Sequence, residues 1–181
     1  MGAIKVTDIP RYSYDDYKLW EGKWELIDGY PYAMAPAPMI RHQKISNKIA
    51  RYLDIALDDC KYCYAVLPID WKIDTNTVVQ PDNSIICQEP FDGAYITKAP
   101  LVIFEILSKS TSKKDVGIKF DLYEKEGVKY YIIVDPDENI AKVYHLQNGL
   151  YIKQGDIKDE TVVFNLDPCE KDLEFDFSKI W

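Results

Sequence analysis

The spacing of apolar residues predicts a long helix over about 39–58. Apolar positions recur there at intervals of four, four and three residues, which places them on one face of a helix. The predicted stripe consists of Ile45, Ile49, Leu53 and Ala56. A shorter helix is predicted over 14–20. A third helix is predicted to start in the serine-rich segment 108–112 and to run to about Glu126.

Both ends of the third helix carry capping residues. Ser112 and Asp115 resemble a capping box, in which a hydroxyl and a carboxylate satisfy backbone amides of the first turn. Gly127 suits the left-handed position that ends many helices, and Val128 suits the apolar contact that follows it.

Two runs of uninterrupted apolar character predict strands that are buried on both faces of a sheet. They are 101–107 and 130–134, and the third helix lies between them. A strand, a helix and a strand in this order imply a parallel pair with a right-handed crossover. Shorter strands are predicted at 62–66, 69–73, 78–86, 140–146, 150–154 and 161–164.

Two dipeptides predict tight hairpins, which imply antiparallel strands. Asp28-Gly29 separates the segments 24–27 and 30–34, and Asn148-Gly149 separates two of the later strands. Pro31 indicates an edge strand, because proline has no amide hydrogen to donate. The predicted architecture is therefore a mixed β-sheet flanked by helices, in the α/β class.

Glu105 is a carboxylate within the apolar run 101–107. Burial of an unpaired carboxylate costs free energy, so Glu105 needs a cation, a hydrogen-bond donor or a proton. Taken alone, Glu105 favours the structural interpretation, in which it lies at the strand end and reaches solvent or pairs with a lysine.

When the residues of the third helix are placed at intervals of about 100° around the helix axis, Lys119 falls within the apolar arc. That arc is predicted to contain Val116, Ile118, Phe120, Leu122 and Tyr123. A lysine on a packed face needs a negative partner, and Glu105 on the preceding strand is the predicted one. The alternatives are an ion pair with Asp115 one turn earlier and an extended side chain that reaches water.

Asp82 follows Pro81 within 78–86, where Pro-Asp-Asn is also typical of a turn. The functional interpretation is a carboxylate at the start of a strand that points into the same cleft as Glu105. Two such carboxylates suit phosphodiester hydrolysis, because a bound Mg²⁺ lowers the pKa of its water and neutralises the phosphate. Lys119 would stabilise the developing charge or help to position the nucleophile.

The order of Asp82, Glu105 in a buried strand and Lys119 on the next helix resembles the PD-(D/E)xK phosphodiesterase superfamily. More narrowly, residues 20–136 resemble the Uma family of restriction-endonuclease-like proteins. The matching residues are Trp24–Gly29, His42, Pro81-Asp82, Ala99–Ser108, Asp115, Lys119, Tyr123 and Gly127–Pro136. One departure is Leu107, which stands where the superfamily has a lysine. The resemblance implies that Lys119 takes the place of that lysine.

The resemblance implies a single restriction-endonuclease-like domain over 1–181, with a core of about 20–136 and C-terminal strands at 139–176. It implies an endonuclease that hydrolyses DNA with Mg²⁺ or Mn²⁺ as cofactor. The implied site comprises Asp82, Glu105 and Lys119 as catalytic residues, Asp82, Glu105 and Ile106 as metal-binding positions, and Glu25 and His42 as supporting residues. Glu25 is also compatible with a solvated strand residue, and His42 is also compatible with a histidine that packs in the core.

The net charge and the apolar pattern of the chain limit the kinds of partner that we expect the protein to bind. The net charge of −8 counts against broad nucleic-acid binding, although a local groove can still be basic. No apolar run of about 18 residues and no signal peptide are evident, so we expect a cytoplasmic protein without membrane contact. Cleavage of both DNA strands would favour a homodimer, although no residue specifies one.

The cysteines and the acidic charge leave two alternatives to a nuclease. Cys60, Cys63, Cys87 and Cys169 are expected to be free thiols in a reducing compartment. Cys60 and Cys63 have the spacing of half a zinc site, but the other two stand apart, so a zinc protein is the more distant alternative. The nearer one is a catalytically inactive binding or assembly module that keeps the nuclease fold.

Overall fold

The order of helices and strands agrees with most of the predicted elements. The computed structural model describes residues 9–34, 39–90, 92–108, 117–170 and 172–181. Its elements are helix α1 (Tyr14–Tyr17), strands β1 (Trp24–Ile27) and β2 (Tyr30–Ala33), helix α2 (Ile40–Leu57), strands β3 (Cys63–Val66), β4 (Trp71–Lys72), β5 (Val78–Val79), β6 (Asn83–Cys87) and β7 (Val102–Ile106), helix α3 (Ile118–Lys125), strands β8 (Tyr130–Asp135), β9 (Ile140–Gln147), β10 (Leu150–Ile157), β11 (Thr161–Phe164) and β12 (Leu173–Asp176), and a 3₁₀ helix (Phe177–Lys179).

Strand β7 lies inside a six-stranded sheet with the order β10-β9-β8-β7-β6-β3. It pairs in parallel with β8, and the other pairs in this sheet are antiparallel. Every residue of β7 is buried, as the apolar run predicted. The parallel pair and the mixed α/β class are thus confirmed.

The predicted strand 78–86 is two strands that belong to different sheets. Strand β5 pairs with β1 and β4 in a four-stranded sheet of order β2-β1-β5-β4, whereas β6 joins the six-stranded sheet beside β7. The chain passes between the sheets at Gln80-Pro81-Asp82, which we name the crossing segment. Pro81 has no amide hydrogen for a ladder, which explains why the pairing stops there.

Both predicted hairpins are confirmed by their backbone angles. Asp28 and Gly29 have φ values of 51° and 78°, and Asn148 and Gly149 have φ values of 52° and 81°. Two successive residues with positive φ are typical of the type I′ turn, whose twist matches that of the flanking strands. Strand β2, which contains Pro31, lies at the edge of its sheet as expected.

Each face of the six-stranded sheet supports an apolar core. Phe104 and Ile106 of β7 face the core that contains α2 and the β11–β12 hairpin. Ile103 points to the opposite face, towards Tyr123 of α3. The buried stripe of α2 is Ile45, Ile49, Leu53 and Leu57. The assignment of Ala56 to that stripe is wrong, since the spacing of four continues and Ala56 is exposed.

Helix α3 ends as its sequence predicted. The amide of Gly127 donates to the Glu124 carbonyl oxygen at 3.2 Å, and the amide of Val128 donates to the Tyr123 carbonyl oxygen at 3.0 Å. These two bonds define the Schellman motif, and Gly127 has the positive φ of 83° that the motif requires.

The start of the third helix is described only in part. The predicted capping box at 112–115 and Val116 lie outside the described residues. Ile118 is 41% exposed, so its assignment to the apolar arc is wrong. Helix α1 is shorter than predicted and ends at Tyr17. No helix among the described residues has both the length and the apolar character needed to cross a membrane.

The four cysteines form two disulfide bonds, so the expectation of free thiols is wrong. Cys60 is bonded to Cys169, and Cys63 is bonded to Cys87. Cys63 and Cys87 are directly opposite in the β3–β6 ladder, which explains their pairing. Cys169 lies in the connection from β11 to β12, and a separation of 109 residues from Cys60 gives no sequence signal for this bond.

Candidate functional site

Glu105 and Lys119 form a buried ion pair between β7 and α3. Glu105 Oε1 accepts a hydrogen bond from Lys119 Nζ at 2.7 Å. The two side chains are 4% and 2% exposed, so the alternative in which Lys119 extends into water is wrong. Asp115, the other candidate partner, lies outside the described residues. The pairing predicted from the helix face is therefore present.

A second buried carboxylate shares the ammonium group of Lys119. Glu25 on β1 is 0% exposed, and its Oε1 lies 2.8 Å from Lys119 Nζ. The same oxygen accepts a hydrogen bond from the Gln80 backbone amide at 2.9 Å. Glu25 is therefore not the solvated strand residue that remained as an alternative. It joins the four-stranded sheet to the ion pair on β7.

Tyr123 combines packing with a polar contact. Its hydroxyl donates to Glu105 Oε1 at 2.8 Å, one helical turn after Lys119. Its ring packs against Trp71 and Tyr131, with centroids 5.8 Å and 5.1 Å away. The sequence predicted only the packing. Two donors from α3 thus hold the Glu105 carboxylate in one orientation.

Asp82 connects the crossing segment to β7 and to α2. Its Oδ2 accepts a hydrogen bond from the Ile106 amide at 2.8 Å and lies 3.1 Å from His42 Nε2. The β6–β7 ladder pairs Asn83 with Phe104. The ladder ends there, and the Asp82 carboxylate is bonded to Ile106, the residue that follows the other predicted acid on β7.

His42 lies on the inward side of α2 and is 14% exposed. Its contact with Asp82 distinguishes it from a histidine that packs only in the core. The ligand atoms of Glu25 and His42 do not form a compact group with those of Asp82 and Glu105. Within the described residues, three or more His, Cys, Asp or Glu ligand atoms lie within 4.8 Å of one another only at Cys60, Cys63 and Cys169.

Ile106 offers only its main chain to a ligand. Its side chain is buried in the apolar core, and its amide donates to Asp82. Its carbonyl oxygen is the atom that could contribute to a metal site. Together with the carboxylates of Asp82 and Glu105, it forms a set of hard oxygen donors of the kind that Mg²⁺ prefers. The residues present therefore fit a divalent cation.

Sequence reasoning missed a layer of polar residues behind Glu25. The Gln80 side-chain amide and the Tyr17 hydroxyl both donate to Asp70 Oδ1. Burial and, after it, the negative charge of Asp70 raise the pKa of Tyr17, so its hydroxyl stays protonated as a donor at neutral pH. The position of Gln80 directly before Pro81-Asp82 was the one sequence signal that could have identified part of this layer.

The mixed sheet with a buried acid on β7 and its lysine on α3 defines a restriction-endonuclease-like α/β protein. The chain belongs to the Uma2 family, whose model, described as "Putative restriction endonuclease", matches residues 14–178. This match confirms the resemblance and extends it beyond the segment 20–136.

Two similar proteins support this assignment. The chain is 30% identical over 145 residues to "Uncharacterized protein slr1290" of Synechocystis sp., with 75% of each chain covered. It also resembles a crystal structure described as a "putative nuclease belonging to DUF820" from Anabaena variabilis. The TM-score is 0.74 with 20% sequence identity, and the match covers 93% of this chain and 96% of that one. At this level of identity the second likeness concerns the fold.

Proposed function

We propose that the protein is a metal-dependent endonuclease that hydrolyses phosphodiester bonds in DNA. In this proposal Asp82, Glu105 and the carbonyl oxygen of Ile106 bind Mg²⁺ or Mn²⁺. The observation that carries the proposal is the buried group of Glu105, Lys119 and Glu25, with Asp82 bonded to the residue that follows Glu105 on β7. Membership of the Uma2 family supports the same reaction class.

The charge of this group favours a divalent cation. Two of the three carboxylates, Glu25 and Glu105, are almost fully buried, and both pair with the ammonium of Lys119. With Asp82, three carboxylates and one ammonium leave a formal charge of minus two, which one divalent cation would balance. Buried net charge is costly, so binding such a cation would lower the free energy of the folded protein.

The residues around the acids have distinct roles in this proposal. The bound cation would supply a water of lowered pKa and would neutralise charge on the phosphate. The amide of Ile106 and the ring of His42 orient Asp82. Tyr123 and Lys119 orient Glu105, and the ammonium of Lys119 would position the attacking water or stabilise charge that develops on the phosphate. Glu25 supports the site through Lys119.

Helix α2 supplies positive charge that the net charge of −8 conceals. Four basic residues recur on it at intervals of three, four and three, which places them on one helix face. They are Arg41, Lys44, Lys48 and Arg51. A surface cavity of about 470 Å³ lies along Lys44, Lys48 and Arg51. His42, which contacts Asp82, lies on the inward side of the same helix, whereas the basic face points outward, so in this proposal the face would contact the phosphate backbone away from the acids.

Cleavage of supercoiled DNA in the presence of Mg²⁺ or Mn²⁺ tests the proposal. We expect nicking or linearisation by the wild type, and a rate at least about 100-fold lower in Asp82→Asn and in Glu105→Gln. Glu174→Gln is the matched control, because Glu174 is exposed on β12 and makes no contact with the site. Cleavage that persists undiminished in both site variants would exclude this site.

Two further measurements address which nucleic acid the protein cuts and whether it forms a dimer. Parallel incubations with single-stranded DNA and RNA identify the polymer that is cut. A homodimer would supply one site for each strand of a duplex, and light scattering of the protein with and without DNA measures it.

The burial of Lys119 favours a second candidate, a nuclease-fold module that binds without cleaving. A lysine that is 2% exposed and bonded to two glutamates is poorly placed to contact a substrate. Calorimetric titration with Mn²⁺ separates the two functions. Tight binding by the wild type that is lost in Asp82→Asn supports the enzyme, whereas DNA binding without any Mn²⁺ binding supports the module.

A further inference from the structure

The four cysteines converge at one place, away from the acids of the proposed nuclease site. Cys60 follows α2, Cys63 begins β3, Cys87 ends β6, and Cys169 connects β11 to β12. The sulfur atoms of Cys60, Cys63 and Cys169 all lie within 4.8 Å of one another. Cys87 lies outside this group of three, but its sulfur is bonded to that of Cys63 and is therefore adjacent to the group. We name these four residues the four-cysteine cluster.

We propose that the four-cysteine cluster binds one Zn²⁺ when it is reduced, and that the two disulfides are its oxidised, metal-free form. Zinc binds four thiolates as a tetrahedron with Zn–S distances of about 2.3 Å, which sets the sulfurs about 3.8 Å apart. Three of the sulfurs, those of Cys60, Cys63 and Cys169, lie within 4.8 Å of one another, which is close to that size. The fold thus brings three soft ligands to about the separation found in a structural zinc site, and the fourth, Cys87, is bonded to one of them.

The order of the cysteines supports a zinc site over a dithiol redox motif. Cys60 and Cys63 have the C-x-x-C spacing of a zinc knuckle. In a C-x-x-C redox motif these two sulfurs would bond to each other, but here each is bonded to a distant cysteine. The second pair that a zinc site needs is absent from the sequence pattern, and the fold supplies it from β6 and from the β11–β12 connection.

The surroundings of the cluster allow access. Cys63 is buried, and the other three cysteines are half-buried. A cavity of about 470 Å³ opens over Cys60 and Cys169, and its lining includes Asp59, Glu170 and Asp172. Through this acidic cavity, a cation or a reductant would reach the Cys60–Cys169 disulfide before the Cys63–Cys87 disulfide. An entry path of this kind is one requirement of a real metal site.

The exchange between the two forms balances with a dithiol as reductant. Each disulfide accepts two electrons and two protons from the dithiol, which itself becomes a disulfide, and yields two cysteine thiols. The four thiols then release four protons as their thiolates bind Zn²⁺. A disulfide oxidant reverses the exchange and releases the zinc. In both forms the same four segments of the chain remain cross-linked, so the fold is retained.

Metal titration of the whole 181-residue chain tests the proposal. The protein is reduced with a phosphine that does not bind zinc, and Co²⁺ and then Zn²⁺ are added. We expect one thiolate-bound metal ion per chain, with the thiolate-to-Co²⁺ charge-transfer band and the visible bands of tetrahedral Co²⁺. The oxidised protein is expected to show neither. Zinc is also expected to protect all four cysteines from N-ethylmaleimide, as counted by mass spectrometry.

Variants assign the metal to the cluster. The double variants Cys60→Ser with Cys169→Ser and Cys63→Ser with Cys87→Ser are expected to lose the charge-transfer band. Asp82→Asn is the matched control, because it removes a carboxylate of the proposed nuclease site and leaves the thiols intact. If a cysteine variant fails to fold, the alkylation count on the wild type decides. A reduced, folded wild type without the band and without protection would show that these cysteines serve as disulfides alone.

Discussion

The two faces of strand β7 are stabilised by different forces. On one face, Phe104 packs against Phe164, Phe175 and Phe177, with ring centroids 6.3 Å, 5.3 Å and 6.3 Å away. On the other face, the next residue, Glu105, is bonded to a lysine and a tyrosine of α3. Alternation along a strand therefore says where each side chain points. A charged side chain can be buried on one face of the strand only where the helix packed against that face supplies hydrogen-bond donors or an opposite charge.

This difference has consequences for stability. The stability of the aromatic face depends on buried area and shape, so dissolved ions should not alter it. The stability of the charged face depends on the balance between acids and cations, so it should respond to metal, to pH and to removal of single partners. Substitutions matched across β7 separate the two contributions.

Lys119→Met is one of two variants with the largest expected effect. It leaves Glu25 and Glu105 buried without their ammonium partner, which costs about 3–5 kcal/mol of the free energy of unfolding. Because a divalent cation at the acids would offset part of that loss, Mg²⁺ is expected to stabilise the variant more than the wild type. Urea denaturation with and without Mg²⁺ measures both effects. A variant as stable as the wild type would contradict the importance of the ion pair.

Phe104→Ala is the matched change on the aromatic face. Phe104 is fully buried, and its truncation is expected to leave a cavity that costs about 3–5 kcal/mol. The same denaturation series is expected to show no added response to Mg²⁺. A response equal to that of Lys119→Met would mean that the two faces are not independent.

Tyr123→Phe should have an intermediate effect. It keeps the ring between Trp71 and Tyr131 but removes a hydrogen bond to the buried Glu105, at an expected cost of about 1–3 kcal/mol. Tyr64→Phe is the control, because the Tyr64 hydroxyl bonds to a main-chain carbonyl oxygen in a more exposed position. Equal losses in the two variants would argue against a special role for the contact with Glu105.

The smallest expected effect is a pH dependence at the margin of the aromatic face. The ring of His145 is stacked on Tyr130 with centroids 4.5 Å apart. Burial and, after it, the positive charge of Lys129 lower the pKa of His145. The unfolded chain therefore takes up this proton at a higher pH than the folded protein does. The free energy of unfolding should fall as pH drops below the ordinary histidine pKa of about 6.5.

The check is a series of urea denaturations between about pH 7.5 and about pH 5.5, across that ordinary value. His145→Gln is expected to show a shallower fall than the wild type. An unchanged slope would assign the pH dependence to other groups.

Local patterns carried most of what could be predicted. The two positive-φ hairpins follow from Asp28-Gly29 and Asn148-Gly149, because a tight turn is specified by its own residues. The apolar run around Glu105 and the inward position of Lys119 also follow from short-range periodicity. These segments identified the sheet, the parallel pair and the buried ion pair.

What the sequence did not reveal depends on contacts between distant segments. The burial of Glu25 requires β1, α3 and the crossing segment to meet, and each lies far from the others along the chain. The bond between Cys60 and Cys169 has the same character. The break within 78–86 was overlooked because both halves are apolar, although Pro81 marks it. The single-domain organisation and the roles of the site residues stay predictions.

The crossing segment sets a limit on how the length of this chain can vary. Gln80 is anchored to the four-stranded sheet through Glu25, and Asp82 is anchored to the six-stranded sheet through Ile106. Only Pro81 lies between these anchors. One inserted residue adds about 3.3 Å of strand and reverses the facing of every side chain beyond it. Natural gains and losses of residues should therefore be eliminated by selection here.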